Sequence, residues 1–259
     1  MPELLDGESI VATAQRLIDW FSKLPGALIA FSGGVDSAVT AVAAFRALGD
    51  RALAVTADSP SLARAELADA IATAEQIGIA HEVIRTDELL SADYQRNDAR
   101  RCFYCKTMLY SAMSQMRLAT FEGWRVVSGT NSDDLGDYRP GLQAAADHAV
   151  LSPLAELGIS KEEVRRLSAH WRLTVSDKPA APCLASRIAY GVEVTRVRLD
   201  MIEQAEAELR RLGLKEFRVR YHAGDLARIE VPIESLAVLT ASEQRTDLVR
   251  IFKSLGFRF

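Results

Sequence analysis

Over the first half of the chain, short apolar runs alternate with longer stretches whose apolar positions recur every three or four residues. The runs at 26–31, 52–57, 81–84 and 125–128 have strand length, and the segments 37–48, 62–77 and 103–119 between them carry helical spacing. Strands alternating with helices predict a parallel sheet covered on both faces. The fold class expected is therefore α/β, a doubly wound parallel sheet whose ligands gather at the carboxyl ends of its strands. A further helix is expected at 9–24, where Ile10, Leu17, Ile18 and Phe21 share a face that would pack on the core or on a neighbouring subunit.

The pattern changes in the proline-containing stretch 176–187, which reads as a loop leading into a second unit. Beyond it a helix at 195–212, strands at 217–222 and 227–231, a helix at 243–255 and a short strand at 257–259 predict a small α+β domain. The expected division is 1–180 for the α/β domain and 181–259 for a domain of substrate binding or oligomerisation. No repeat or low-complexity tract interrupts either part.

Candidate chemistry begins at Ser32-Gly33-Gly34-Val35-Asp36-Ser37, between the first strand and its helix. Two glycines let the backbone approach an anion, and the amides that follow, with the positive end of the helix, point at it. No Gly-Lys pair occurs anywhere in the chain, so a Walker-type γ-phosphoryl transfer is not expected. Asp36 is suited to holding Mg²⁺ against phosphates, while Ser32 and Ser37 add hydroxyls. Two other strand-end loops draw notice: 58–61, and 129–141, which carries Asp133, Asp134 and Asp137 after a Gly129-Thr130 start able to offer backbone donors to a nucleotide.

Composition narrows the setting. With 259 residues, 49% hydrophobic, the chain can bury one large core or two modest ones. The first dozen residues hold Glu3, Asp6 and Glu8 and no basic residue, and no apolar run reaches membrane-spanning length. A cytoplasmic, non-membrane protein is the expectation. A net charge of −4, and twelve basic against eleven acidic residues over 191–259, give no electrostatic footprint for nucleic acid.

Three cysteines argue against a disulfide framework. Cys102 and Cys105 form a CxxC pair at a helix start, and Cys183 lies in the proline-containing loop. Their number and spacing leave four readings open: a [4Fe–4S] cluster with one open iron, a zinc site completed by a histidine, redox-active or nucleophilic thiols, and inert buried thiols.

Taken together, S-G-G-V-D-S at 32–37, R-C-F-Y-C-K at 101–106, G-T-N-S-D-D-L-G-D-Y-R-P-G at 129–141 and P-C-L-A-S-R at 182–187 resemble the LarE family. That family belongs to the PP-loop ATP pyrophosphatases, of the adenine nucleotide alpha hydrolase-like fold. Its members make the thiolated precursor of the nickel-pincer cofactor of lactate racemase. The resemblance implies that ATP and Mg²⁺ adenylate a carboxylate of pyridinium-3,5-biscarboxylic acid mononucleotide, with pyrophosphate released, and that sulfur then displaces AMP. Ser32, Gly33, Gly34, Asp36, Ser37, Gly129 and Thr130 would hold ATP, with Asp36 catalytic.

Family members divide between a sacrificial cysteine at the position of Cys183 and a three-cysteine [4Fe–4S] cluster. The retention of Cys102, Cys105 and Cys183 implies the cluster route, and the resemblance also implies a homo-oligomer, a hexamer. Arg187 and Asp134 are candidates for binding the anionic acceptor. So are Arg218 and Arg220, which alternation places with His222 on one strand face. Two other PP-loop enzymes, a tRNA thiolase and an amide-forming ligase, are the alternative activities; a nucleotide-binding sensor is the non-enzymatic one.

Overall fold

The computed structural model describes residues 2–136, 140–179 and 181–258. In chain order its elements are helix α1 (Pro2–Ser22), strand β1 (Ala27–Ala30), α2 (Val35–Leu48), β2 (Ala52–Asp58), α3 (Arg64–Ile77), β3 (Ala80–Arg85), α4 (Ala92–Gln95) and α5 (Arg101–Thr120). There follow β4 (Arg125–Val127), α6 (Pro140–Asp147), α7 (Pro153–Glu156), α8 (Lys161–His170), α9 (Arg196–Arg211), β5 (Arg218–His222), β6 (Leu226–Glu230), α10 (Leu236–Thr240) and α11 (Ser242–Leu255). They group into two compact units, Met1–Thr86 with Cys102–Ala181, and Asp87–Arg101 with Pro182–Phe259.

The first unit is built on a four-stranded sheet in the order β3-β2-β1-β4, parallel throughout. Strand β1 is buried at every position, as a central strand covered on both faces must be. Its alternate side chains feed two cores. Ala27 and Ile29 join Leu17, Phe21, Val39, Leu154 and Leu167 on the side of α1, α2 and α8, while Leu28 and Ala30 join Tyr110, Met113 and Val126 on the side of α5. Helix α2 is so rich in buried alanine that its neighbours approach closely on several sides.

This order puts the reversal of winding at β1, between β2 and β4. The loops leaving β1 and β4 therefore open side by side, at the switch point where α/β sheets bind ligands. The doubly wound expectation holds. Helices α6 and α8 answer to nothing expected from the sequence. Each is short, and α8 begins at a capping box in which Ser160 and Glu163 exchange hydrogen bonds with each other's backbone.

The second unit packs Leu199, Ile202, Ala205 and Leu209 of α9 against the antiparallel ribbon β5–β6, in which Val219 and Tyr221 are buried. Its inclusion of 87–101 was not legible in the sequence. Asn97 is one of its attachments: fully buried, with a left-handed φ of 54°, it donates through Nδ2 to the carbonyls of Ala189 at 2.9 Å and Val192 at 2.8 Å. Asn tolerates that backbone conformation better than most residues.

The strand expected at 257–259 is absent from the described residues, and Phe259 lies outside them. Gly256, at φ 110°, instead turns Phe257 back to pack on Phe252 and Tyr221. Helix α1 packs on the core of its own chain, since Leu17 and Phe21 are fully buried. Leu17→Ala is accordingly expected to cost about 2–5 kcal/mol of stability, read as a lowered midpoint in urea denaturation with an unchanged slope.

Candidate functional site

The segment 32–37 folds as a strand-to-helix turn held open by glycine. Gly33 takes φ +70°, and a Cβ there would lie 2.6 Å from the Cα of Ala70 in α3. Gly34 is the N-cap of α2 and supplies no capping side chain, so the first amides of the helix are not consumed by one. The two serines brace the turn: the Ser37 hydroxyl donates to the Gly34 carbonyl at 2.9 Å, and the Ser32 amide donates to Ser37 Oγ at 3.2 Å.

The loop after β4 closes the other side. A Cβ on Gly129 would stand 2.8 Å from the Ser37 nitrogen and 2.9 Å from the Asp36 carbonyl carbon, so only glycine lets the two backbones approach this closely. Thr130 follows, its hydroxyl 3.0 Å from that of Ser128. Asn131, almost wholly buried, folds the loop by accepting the amides of Asp133 at 3.0 Å and Asp134 at 3.3 Å on Oδ1. Its Nδ2 donates to Asp36 Oδ1 at 3.0 Å.

The second oxygen of Asp36 is ion-paired with Lys161, the first residue of α8. The Lys161 amide is itself held by Asp133 Oδ2 at 2.9 Å. Sequence reasoning missed Asn131 and Lys161. Asn131 stood within a motif noted for its carboxylates, and Lys161 sits beyond it in a helix the periodicity did not announce.

A cavity of about 300 Å³ opens between the two loops, its walls including Ser32, Asp36, Ser37, Gly129 and Thr130. Asp134, expected to contact the acceptor, lies in the wall of this cavity, whose lining also includes Lys106 and Tyr110 of α5. Asp137, Tyr138 and Arg139 of the motif fall outside the described residues. The segment 58–61 is occupied differently, with Asp58 paired to Arg64 at 2.6 Å.

A second cavity, of about 280 Å³, belongs to the other unit and is lined by Arg101, Arg187, Tyr190, Arg220, His222 and Arg228. Its cations differ in how far they are committed. The Arg187 guanidinium is buried against Glu206, with Nε–Oε1 at 2.9 Å, and also donates to the carbonyls of Pro182 and Cys183. The expectation that it grips a ligand is thus corrected to one of shaping the loop after Cys183, because its donors are already taken. Arg220 donates to Glu230 at 2.9 Å and to the Ser186 carbonyl at 3.0 Å, and Arg228 meets the other oxygen of Glu230 at 2.6 Å.

Burial alone would raise the Glu230 pKa, but hydrogen bonds and charge from Arg220 and Arg228 prevail and hold it below the usual carboxylate value. Arg101 is fixed by the Ala185 carbonyl at 2.9 Å and by the side chain of Asn97, and lies 5.9 Å from the ring of Tyr190. Arg218 shares a strand face with Arg220 but is exposed and stands outside this lining.

Cys102 is exposed and Cys105 half-buried, three residues apart in the first turn of α5 in the first unit; Cys183, exposed, begins the turn Leu184–Arg187 in the second. Among the described residues no group of three or more His, Cys, Asp or Glu side chains is arranged to hold a metal ion.

Residues 21–116 match the NAD synthase family model. The chain is 34% identical over 232 residues to pyridinium-3,5-bisthiocarboxylic acid mononucleotide synthase of Lactiplantibacillus plantarum, covering 89% of this chain and 83% of the relative. It is 46% identical over 245 residues to the uncharacterized protein slr1717 of Synechocystis, covering 95% and 91% of the two chains. NMN synthetase of Francisella tularensis superposes with a TM-score of 0.54 over 66% of this chain and 75% of its own, at 19% identity, a likeness of fold.

The close approach at Gly129 is directly testable. Gly129→Ala should weaken ATP binding about tenfold or more by forcing the two strand-end loops apart. Gly136→Ala should leave binding unchanged, since nothing lies within 4 Å of the added methyl. Isothermal titration of both variants with ATP makes the comparison.

Proposed function

From the premise that the chain belongs to the LarE family of PP-loop ATP-dependent sulfur transferases, we propose that it adenylates a carboxylate of pyridinium-3,5-biscarboxylic acid mononucleotide and converts it to a thiocarboxylate. The observation that carries this reading is the glycine-lined cavity at the start of α2, walled by Asp36, which Asn131 and Lys161 brace. That arrangement suits a polyphosphate, and the lysine paired with Asp36 comes from α8 instead of from a Walker loop.

Carboxylate oxygens of Asp36 and Asp134 line one cavity, a hard donor set that fits Mg²⁺. Bound there, Mg²⁺ would offset charge on the phosphates and on departing pyrophosphate. Lys161, already at Asp36, is placed to give up that pairing for a phosphate oxygen. The acceptor is an anion around a cationic ring. The arginine cavity of the second unit suits its carboxylates and phosphate, with Arg220 and Arg228 held at fixed spacing by Glu230.

The chemistry balances as two displacements. An acceptor carboxylate oxygen attacks the α-phosphorus, and pyrophosphate leaves. A sulfur nucleophile then attacks the acyl carbon and AMP leaves, a far better leaving group than oxide. Cys183 supports the role of that nucleophile by its exposure and by sharing a turn with Ser186 and Arg187 of the arginine cavity. If its thiolate forms the thioester, removal of the Cys183 α-proton and cleavage of its Cβ–S bond release the thiocarboxylate and leave dehydroalanine.

The test is pyrophosphate release by protein handled without oxygen, given ATP, Mg²⁺ and the mononucleotide. Release that depends on the mononucleotide is expected, and Asp36→Ala should abolish it while the thermal midpoint holds. Release that needs tRNA and ignores the mononucleotide would overturn the reading. Arg220→Ala should raise the KM for the acceptor about tenfold or more with ATP affinity unchanged. A loss of one H₂S from the protein mass after turnover, absent in Cys183→Ala, identifies the sacrificial route. About four irons and four acid-labile sulfides per chain would identify the cluster instead.

A further inference from the structure

Behind the arginine cavity, the β5–β6 ribbon has a second face with different chemistry. Arg220, His222 and Arg228 line the one cavity, whereas Ala227 and Ile229, the alternate residues of β6, line another of about 360 Å³ closed by α11. Its floor is apolar: Leu248 and Phe252, each 7% exposed, and Phe257, 2% exposed, meet Ile229 there. Arg245, Lys253 and Arg258 also line it, and among the described residues no carboxylate does. Arg258 is paired with Asp225 at 3.1 Å. Among the described residues Arg245 and Lys253 have no ion-pair partner.

An apolar cavity of this volume is of small-molecule size. Two uncompensated cations on apolar walls call for an occupant that is anionic at one end and hydrocarbon at the other. We propose that this cavity is a binding site for a small amphipathic monocarboxylate, its body against Ile229 and Phe252 and its carboxylate at Arg245 and Lys253. The site lies on the ribbon face opposite the arginine cavity and does not depend on the reaction proposed above. An occupant would wedge between α11 and a two-stranded ribbon that, as a sheet, is marginal by itself.

Decanoate, below its micellar concentration, serves as the probe in calorimetric titration of the full chain. Saturable binding of one decanoate per chain is expected. Replacing both cations, Arg245→Ala with Lys253→Ala, should weaken it about tenfold or more, as should Val249→Glu, which sets a carboxylate in the lining. These positions are exposed, and the circular dichroism spectra and thermal midpoints of the variants should match those of the parent. Decanol should bind more weakly than decanoate. Absence of saturable binding, equal affinity in the double variant, or decanol binding as tightly would each overturn the proposal. So would self-association in sedimentation that Val249→Glu abolishes, because the apolar floor would then belong to a second copy of the chain.

Discussion

The nucleotide site depends on one backbone contact that excludes a side chain. Where the loop after β4 meets the start of α2, the space a Cβ would take at Gly129 is already filled by the backbone of Asp36 and Ser37. The contact exists because β1 and β4 are parallel neighbours at the point where the winding reverses. Two loops far apart in sequence are thereby laid along one edge, and the amides at the head of α2 open between them. A second exclusion, at Gly33 against α3, fixes the other side of the same turn.

Charge is then settled locally. Asp36 is flanked by Asn131 on one oxygen and Lys161 on the other. In the second unit, buried Arg187 is matched by buried Glu206, whose Oε1 also accepts the Val219 amide at 3.1 Å. Buried ions persist when paired and hydrogen-bonded in this way, and an arginine so committed shapes a loop. Arg220 and Arg228 share Glu230 at a partly exposed position, so their remaining donors can still turn to a ligand. What separates Arg187 from Arg220 and Arg228 here is how far each is buried against its partner, which composition does not reveal.

Much of the first unit was legible in the sequence. Continuous apolar strands cannot be buried on both faces without helices between them, so period and length sufficed for the parallel sheet and for the place of the 32–37 turn. The motif glycines were legible for a related reason: Gly33 occupies a backbone conformation that other residues adopt only under strain. The ribbon at 217–231 also followed from alternation, and with it the shared face of Arg218, Arg220 and His222.

Three things needed the tertiary structure. Segment 87–101 joins the second unit through contacts such as those of Asn97, whose hydrogen bonds span some ninety positions of sequence. Lys161 reaches Asp36 from a helix whose apolar periodicity is too brief to announce it. Arg187, expected to bind the anionic acceptor, is paired with a glutamate of α9. The sequence by itself determined the sheet, the anion-binding turn and the family, because these rest on local period, glycine sterics and contiguous motifs. Only the tertiary structure decided which charges pair and which remain for ligands, because pairing depends on distances between residues that the chain brings together only by folding.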